Sequence, residues 1–207
     1  MKQKFSKKSH QSGFTIIELL VVLSIMAIIA TVIVLDFSRQ RAVRSVVLAK
    51  NETITSLRKI QSYMLSSKNI SDGVPAKFYI AKFEMPQSGT LPNSFTLQAV
   101  DSQLTLHDNL ETITLPAGVQ FTSFNIEPVT KDAPVPYSCV QVVFSAPFGS
   151  MYANGSSSCD SSIAQTLGDP VAVAGLAQRK TYIHFGVGGA DNGYILINPA
   201  TGQMSAN

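Results

Sequence analysis

Gly13-Phe14-Thr15-Ile16-Ile17-Glu18 opens an apolar run that continues to Leu35, and Glu18 is the only charged residue inside it. The run from Phe14 to Leu35 is 22 residues long. As an α-helix it would extend about 33 Å, enough to cross the hydrocarbon core of a bilayer. An ionisable side chain inside such a segment is costly and usually marks function. Ahead of the run, residues 1–13 carry Lys2, Lys4, Lys7 and Lys8 and no acid. Lysines on that flank predict a cytoplasmic N-terminus and an exported C-terminal body.

An ordinary secretory signal has a shorter apolar core followed by a small-residue cleavage site. Here the run is followed by Asp36-Phe37-Ser38-Arg39-Gln40-Arg41, which offers no such site. A lipoprotein signal needs a cysteine just after the core, and the first cysteine is Cys139. A plain membrane anchor accounts for the length and the lysines. It leaves Glu18 and the Gly-Phe junction unexplained.

The stretch Gly13-Phe14-Thr15-Ile16-Ile17-Glu18-Leu19-Leu20-Val21-Val22 resembles the N-terminal signature of type IV prepilins and type II secretion pseudopilins. The resemblance implies cleavage by a membrane-embedded prepilin peptidase between Gly13 and Phe14, then N-methylation of Phe14. A glycine lets an extended backbone enter a protease cleft closely. Glu18 would lie one helical turn beyond the new N-terminus, on the same face as Phe14. In that family the carboxylate pairs with the terminal amine of a neighbouring subunit during filament assembly. The partners implied are the peptidase, other pilin or pseudopilin subunits, an inner-membrane assembly platform, and lipid before assembly. The location implied is a single pass through the inner membrane, then a pilus or pseudopilus. Family members often carry a proline late in the apolar helix, near the position of Leu35. This chain has no proline before Pro75, so no backbone donor is missing and a continuous helix is expected.

Residues 36–68 contain neither Pro nor Gly. Val43, Val46, Val47, Ile54, Leu57, Ile60 and Met64 recur at near-helical spacing and predict an amphipathic extension whose apolar stripe packs on a sheet. Its seven basic residues outnumber two acids, and Arg39, Arg41 and Arg44 fall just beyond the apolar run, within reach of anionic lipid or acidic neighbours. After Pro75, short β-branched and aromatic runs alternate with turn residues. They predict strands at 77–84, 94–100, 102–107, 118–126, 137–145, 180–186 and 194–198. The Gly/Ser stretch Gly149–Ser162 and the segment Asp160–Leu176 read as surface loops or a short insertion. The expected fold class is α+β, a long N-terminal helix packed on a C-terminal antiparallel sheet head. The expected division is leader 1–13, membrane and assembly helix 14–35, amphipathic helix 36–68 and exported head 69–207.

The ending Tyr194-Ile195-Leu196-Ile197-Asn198-Pro199-Ala200-Thr201-Gly202-Gln203 is similar to that of minor pseudopilins of the H type and FimT-type minor pilins. Those proteins close with an apolar strand and a Thr-Gly turn. The similarity favours a minor subunit, although Gln203 stands where they commonly carry a basic residue. Removing the four leader lysines takes the net charge from +3 to −1. From Asn69 onward five bases face ten acids. A nucleic-acid-binding head normally shows a basic patch, so nucleic-acid binding is disfavoured and Arg179 and Lys180 read as solvated residues entering a strand.

Cys139 and Cys159 are the only cysteines, and both fall in the exported part, where disulfides persist. A bridge between them is favoured over two buried free thiols. His10, His107 and His184 are scattered and join no nucleophile by spacing. The stretch from Gly186 to Gly193 lacks the Lys-Ser/Thr of a phosphate loop and reads as a hairpin with positive φ at its glycines. Asp191 and Asn192 are too few oxygens to define a calcium site. The chain therefore reads as a peptidase substrate and structural subunit, not an enzyme, with no catalytic, cofactor or metal residue expected. Two rival readings are a minor pilin whose head binds DNA or surfaces, and a membrane-anchored domain that never polymerises.

Overall fold

The computed structural model describes residues 14–66, 70, 73–85, 92–127, 135–145, 150–157, 159 and 179–207. The leader, Gly13 included, and the 160–176 segment lie outside the described residues. The chain forms two compact units, residues 1–41 and 42–207. One helix, α1 (Ile16–Leu65, 50 residues), begins in the first and ends in the second.

In the first unit, Ile16–Ile33 has a mean hydropathy of 2.9 and no part of it is buried within the chain. By length and composition this segment is enough to cross the hydrocarbon core of a bilayer. The two hydroxyls inside the segment are satisfied within the helix. Ser24 donates to the carbonyls of Leu20 and Val21, and Thr31 donates to that of Ile28. In hydrocarbon, where no water can take these protons, that local bonding removes a cost of insertion.

In the second unit, Val46, Ala49, Thr53, Leu57, Ile60 and Met64 form the buried stripe of α1. Val43 and Val47, expected in that stripe, are 52% and 44% exposed. Small Ala49 and the hydroxyl of Thr53, which donates to the carbonyl of Ala49, complete the stripe instead. Among the described residues ten strands follow: β1 (Ala76–Glu84), β2 (Ser94–Asp101), β3 (Leu106–Thr114), β4 (Val119–Ile126), β5 (Val135–Tyr137), β6 (Cys139–Ser145), β7 (Ser150–Ser156), β8 (Thr181–Val187), β9 (Ala190–Asn198) and β10 (Gln203–Ala206). They make two five-stranded antiparallel sheets, ordered β3-β2-β1-β6-β7 and β10-β9-β8-β4-β5. The fold is α+β with an antiparallel sheet head.

The main core joins the stripe of α1 to one face of each sheet. Its centre is aromatic. Phe83 and Phe95 of the first sheet stack at 4.7 Å, and Phe121 of the second meets Phe83 edge-on at 5.5 Å. Phe124 and Phe185 close the cluster around Phe121 at 5.6 and 5.2 Å. Offset and edge-on rings suit their quadrupoles, so the two sheets are joined by packing as well as by burial. The other face of the first sheet carries a smaller cluster, Phe78, Ile80, Val100 and Val143, which explains why β6 is buried on both faces. Close approach at the β7 edge requires Gly155, because a Cβ there would lie 2.6 Å from Ile126 Cδ1 and 2.7 Å from Tyr137 Cγ.

Three segments differ from the sequence expectation. Residues 102–105, expected in a strand, form a turn, and β3 begins only at Leu106. The carboxylate of Asp101 imposes that turn by accepting the N–H groups of Gln103 (2.8 Å) and Thr105 (2.9 Å), with Leu104 at φ 63°. The Gly/Ser stretch contributes β7, an edge strand paired along β6 from Cys139↔Ser156 to Ser145↔Ser150. The end of the chain forms β10 on β9, after a turn in which Gly202 takes φ 68°. Between β8 and β9, Gly188 and Gly189 take φ 64° and 83°, the pair of positive values that a two-residue hairpin needs.

Asp101 is held below the usual carboxylate range, first by its hydrogen bond with His107 (3.0 Å to Nε2) and then by the N–H groups of Thr105 and Gln103. Its folded pKa therefore lies below the unfolded value of about 3.9. The stability it adds is fully present above that value and is lost as pH falls through the lower folded pKa. Urea unfolding of the full chain in detergent, between roughly pH 6 and pH 2, should show a stability gap between parent and Asp101→Asn that closes in acid. A gap of constant size would contradict this assignment.

Candidate functional site

The candidate site is the first turn of α1. Thr15 precedes the helix, and its side chain and backbone exchange hydrogen bonds with Glu18. The Thr15 N–H and hydroxyl donate to Glu18 Oε2 at 2.9 and 3.0 Å, and the Glu18 N–H donates to Thr15 Oγ1 at 3.3 Å. This is a reciprocal capping box, with Thr15 as N-cap and Glu18 at the third helical position. It satisfies two backbone donors that an apolar environment would otherwise leave bare. The negative charge also lies at the positive end of the helix dipole. Phe14, just outside the cap, is 87% exposed. The partner that the sequence reading missed is Thr15. The signal was the spacing Thr-x-x-Glu directly before an apolar run, which marks a helix start.

In the head, Cys139 at the start of β6 is bonded to Cys159, with Cα atoms 5.3 Å apart. The bridge closes a loop across a sequence separation of 20 residues. A loop of that size restricts the unfolded chain by about 3 kcal/mol. Lys180 pairs with Glu127 at 3.4 Å on the surface.

His107 and His184 have local partners. His107 meets Asp101, and His184 Nδ1 lies 2.6 Å from Asp191 Oδ2 while its Nε2 lies 3.3 Å from Asn125 Nδ2. The side-chain oxygens of Asp191 and Asn192 serve the β8–β9 hairpin. Asp191 Oδ1 accepts the Gly193 N–H at 3.1 Å, and Asn192 Oδ1 accepts the Val187 N–H at 2.9 Å. Among the described residues, no three His, Cys, Asp or Glu side chains gather as metal ligands.

Residues 8–34 match the family model for the prokaryotic N-terminal methylation motif. The match spans the leader end, the Gly13–Phe14 junction, the Thr15–Glu18 cap and the apolar helix. It is the type IV pilin and pseudopilin signature, and it supports a prepilin-type subunit. No curated protein and no solved structure matches the chain. The apolar helix and the motif are together consistent with membrane anchoring.

Proposed function

We propose that this chain is a minor structural subunit of a type IV pilus or secretion pseudopilus. It enters the membrane with residues 1–13 in the cytoplasm and is cut by prepilin peptidase between Gly13 and Phe14. Phe14 is then N-methylated, and the subunit is drawn into a fibre. The observation that carries this is the methylation motif ending in a capped, fully exposed apolar helix on which Glu18 is the only charge.

Glu18 has two successive roles in this reading. In the membrane-resident subunit it closes its own helix through Thr15, which lowers the cost of a carboxylate near the interface. In the fibre it meets the terminal amine of a neighbour, an opposite charge in an apolar surrounding, where a paired ion is far cheaper than a single one. The apolar faces of neighbouring α1 helices then replace lipid around each other. The minor-subunit assignment is supported by the ending, in which the apolar strand β9 runs into a turn at Thr201-Gly202. Assembly is carried by the helix, and the acidic heads face outward.

The test is fractionation of cells that carry the machinery. The chain is expected in sheared filaments only when prepilin peptidase is active. A chain confined to the membrane fraction in both cases would show an anchored domain that does not polymerise.

A further inference from the structure

A cleft of about 440 Å³ opens beside β10, lined by Arg58 and Gln61 of α1 and by residues of the β9–β10 hairpin, among them Asn198, Gln203 and Ser205. Arg58 and Gln61 share a helix face by their i, i+3 spacing. Gln203 pairs with Asn198 and Ser205 with Leu196 across the hairpin, so the polar side chains come from one face of it. The volume is within the range of ordinary ligand sites.

Two independent features indicate what this cleft takes. The first is charge. Arg58 is its only charged lining residue, no acid lines it, and among the described residues Arg58 has no ion-pair partner. Three other cations of the second unit are ion-paired: Lys59 with Glu111, Lys82 with Glu84 and Lys180 with Glu127. A guanidinium presents a fixed fork of donors suited to a carboxylate. Carboxamides and a hydroxyl beside it can hold the rest of an acidic side chain and its backbone. The second feature is the strand. Among the described residues β10 ends its sheet, with β9 as its single strand neighbour, so its outer row of N–H and C=O groups has no ladder partner there. An exposed edge is a template for an added strand.

We propose that this cleft receives an extended, acidic segment of a partner protein. The segment adds to the β10 edge through main-chain hydrogen bonds and places a carboxylate on Arg58. This is strand addition with one charged pocket for register: the backbone supplies affinity and the side chain supplies selection. The site lies wholly in the second unit and does not depend on how the N-terminus is processed or assembled.

The test uses the full chain, isotope-labelled and held in detergent micelles. The probe is a short capped peptide of alternating valine and glutamate, compared with the same peptide carrying glutamine. Backbone amide shifts are followed during titration. The amides of Gln203, Met204, Ser205 and Ala206 are expected to move saturably with the glutamate peptide. Binding should weaken about tenfold, the cost of losing one charge-assisted contact, both for the glutamine peptide and for Arg58→Gln. Arg58 is exposed, so the variant keeps its remaining spectrum and the comparison stays interpretable. Three results would overturn the proposal. They are equal binding of the two peptides, shifts that avoid β10, and β10 amides that move with protein concentration alone. The last would assign the edge to a second copy of this chain.

Discussion

Replacing Glu18 by alanine is expected to leave membrane insertion intact and to remove the chain from filaments. The carboxylate costs about 2.5–3.5 kcal/mol at mid-membrane and less near the interface, so its loss does not hinder insertion. What is lost is the charged partner for a neighbour's terminal amine. Hydrogen bonds to charged groups are worth about 1.5–3 kcal/mol, and each 1.4 kcal/mol is tenfold, so incorporation should fall by roughly ten- to a hundredfold. Two further variants separate the charge from the cap. Glu18→Gln keeps an oxygen that can accept from Thr15, and Thr15→Ala keeps the charge but removes the cap, at a cost of about 1 kcal/mol in helix stability. If assembly depends on charge, Glu18→Gln fails like Glu18→Ala while Thr15→Ala still assembles at a reduced level. If it depends on the cap, the order reverses. The readout is the ratio of filament to membrane signal for each variant, and an unchanged ratio in Glu18→Ala would remove the assembly role of this residue.

Phe121→Ala is expected to cause the largest loss of head stability. The ring is fully buried and touches rings of both sheets: Phe83 at 5.5 Å and Phe95 at 6.3 Å on one side, Phe124 and Phe185 on its own. Removing it deletes apolar burial, leaves a cavity and cuts the contact between the sheets, which typically costs about 3–5 kcal/mol. With a denaturant dependence near 2 kcal/mol/M, the urea midpoint should drop by roughly 2 M. Leu110→Ala, at an exposed position on β3, is the control and should move stability by less than about 0.5 kcal/mol. A Phe121→Ala midpoint within error of the Leu110→Ala value would mean the two sheets do not share one core.

The parts of this protein that could be read from sequence are those where local pattern and burial agree. The run from Phe14 to Leu35 is apolar at every position but Thr15, Glu18, Ser24 and Thr31, whose side chains bond within the cap or the helix. The central strands β1, β4, β6 and β8 are dense in β-branched and aromatic residues because their side chains fill the core. The edge strands were hidden for the opposite reason. β3 (LHDNLETIT), β7 (SMYANGS) and β10 (QMSA) lie at or near solvent, are rich in polar or small residues, and are specified by pairing with a neighbour. Division into two sheets depends on which distant strands pair, β1 with β6 and β4 with β8, and no local periodicity carries that information. At the candidate site, Glu18 stood out because a charge in an apolar run is rare. Thr15 did not, because a threonine before a helix is common, and its role emerges from reciprocal geometry.

The central claim, prepilin processing, is tested most directly by the mass of the N-terminal peptide of the chain purified from membranes that contain active prepilin peptidase. The account predicts a peptide that begins at Phe14 and is heavier by one methyl group. A peptide that retains Lys2 through Gly13 would contradict it.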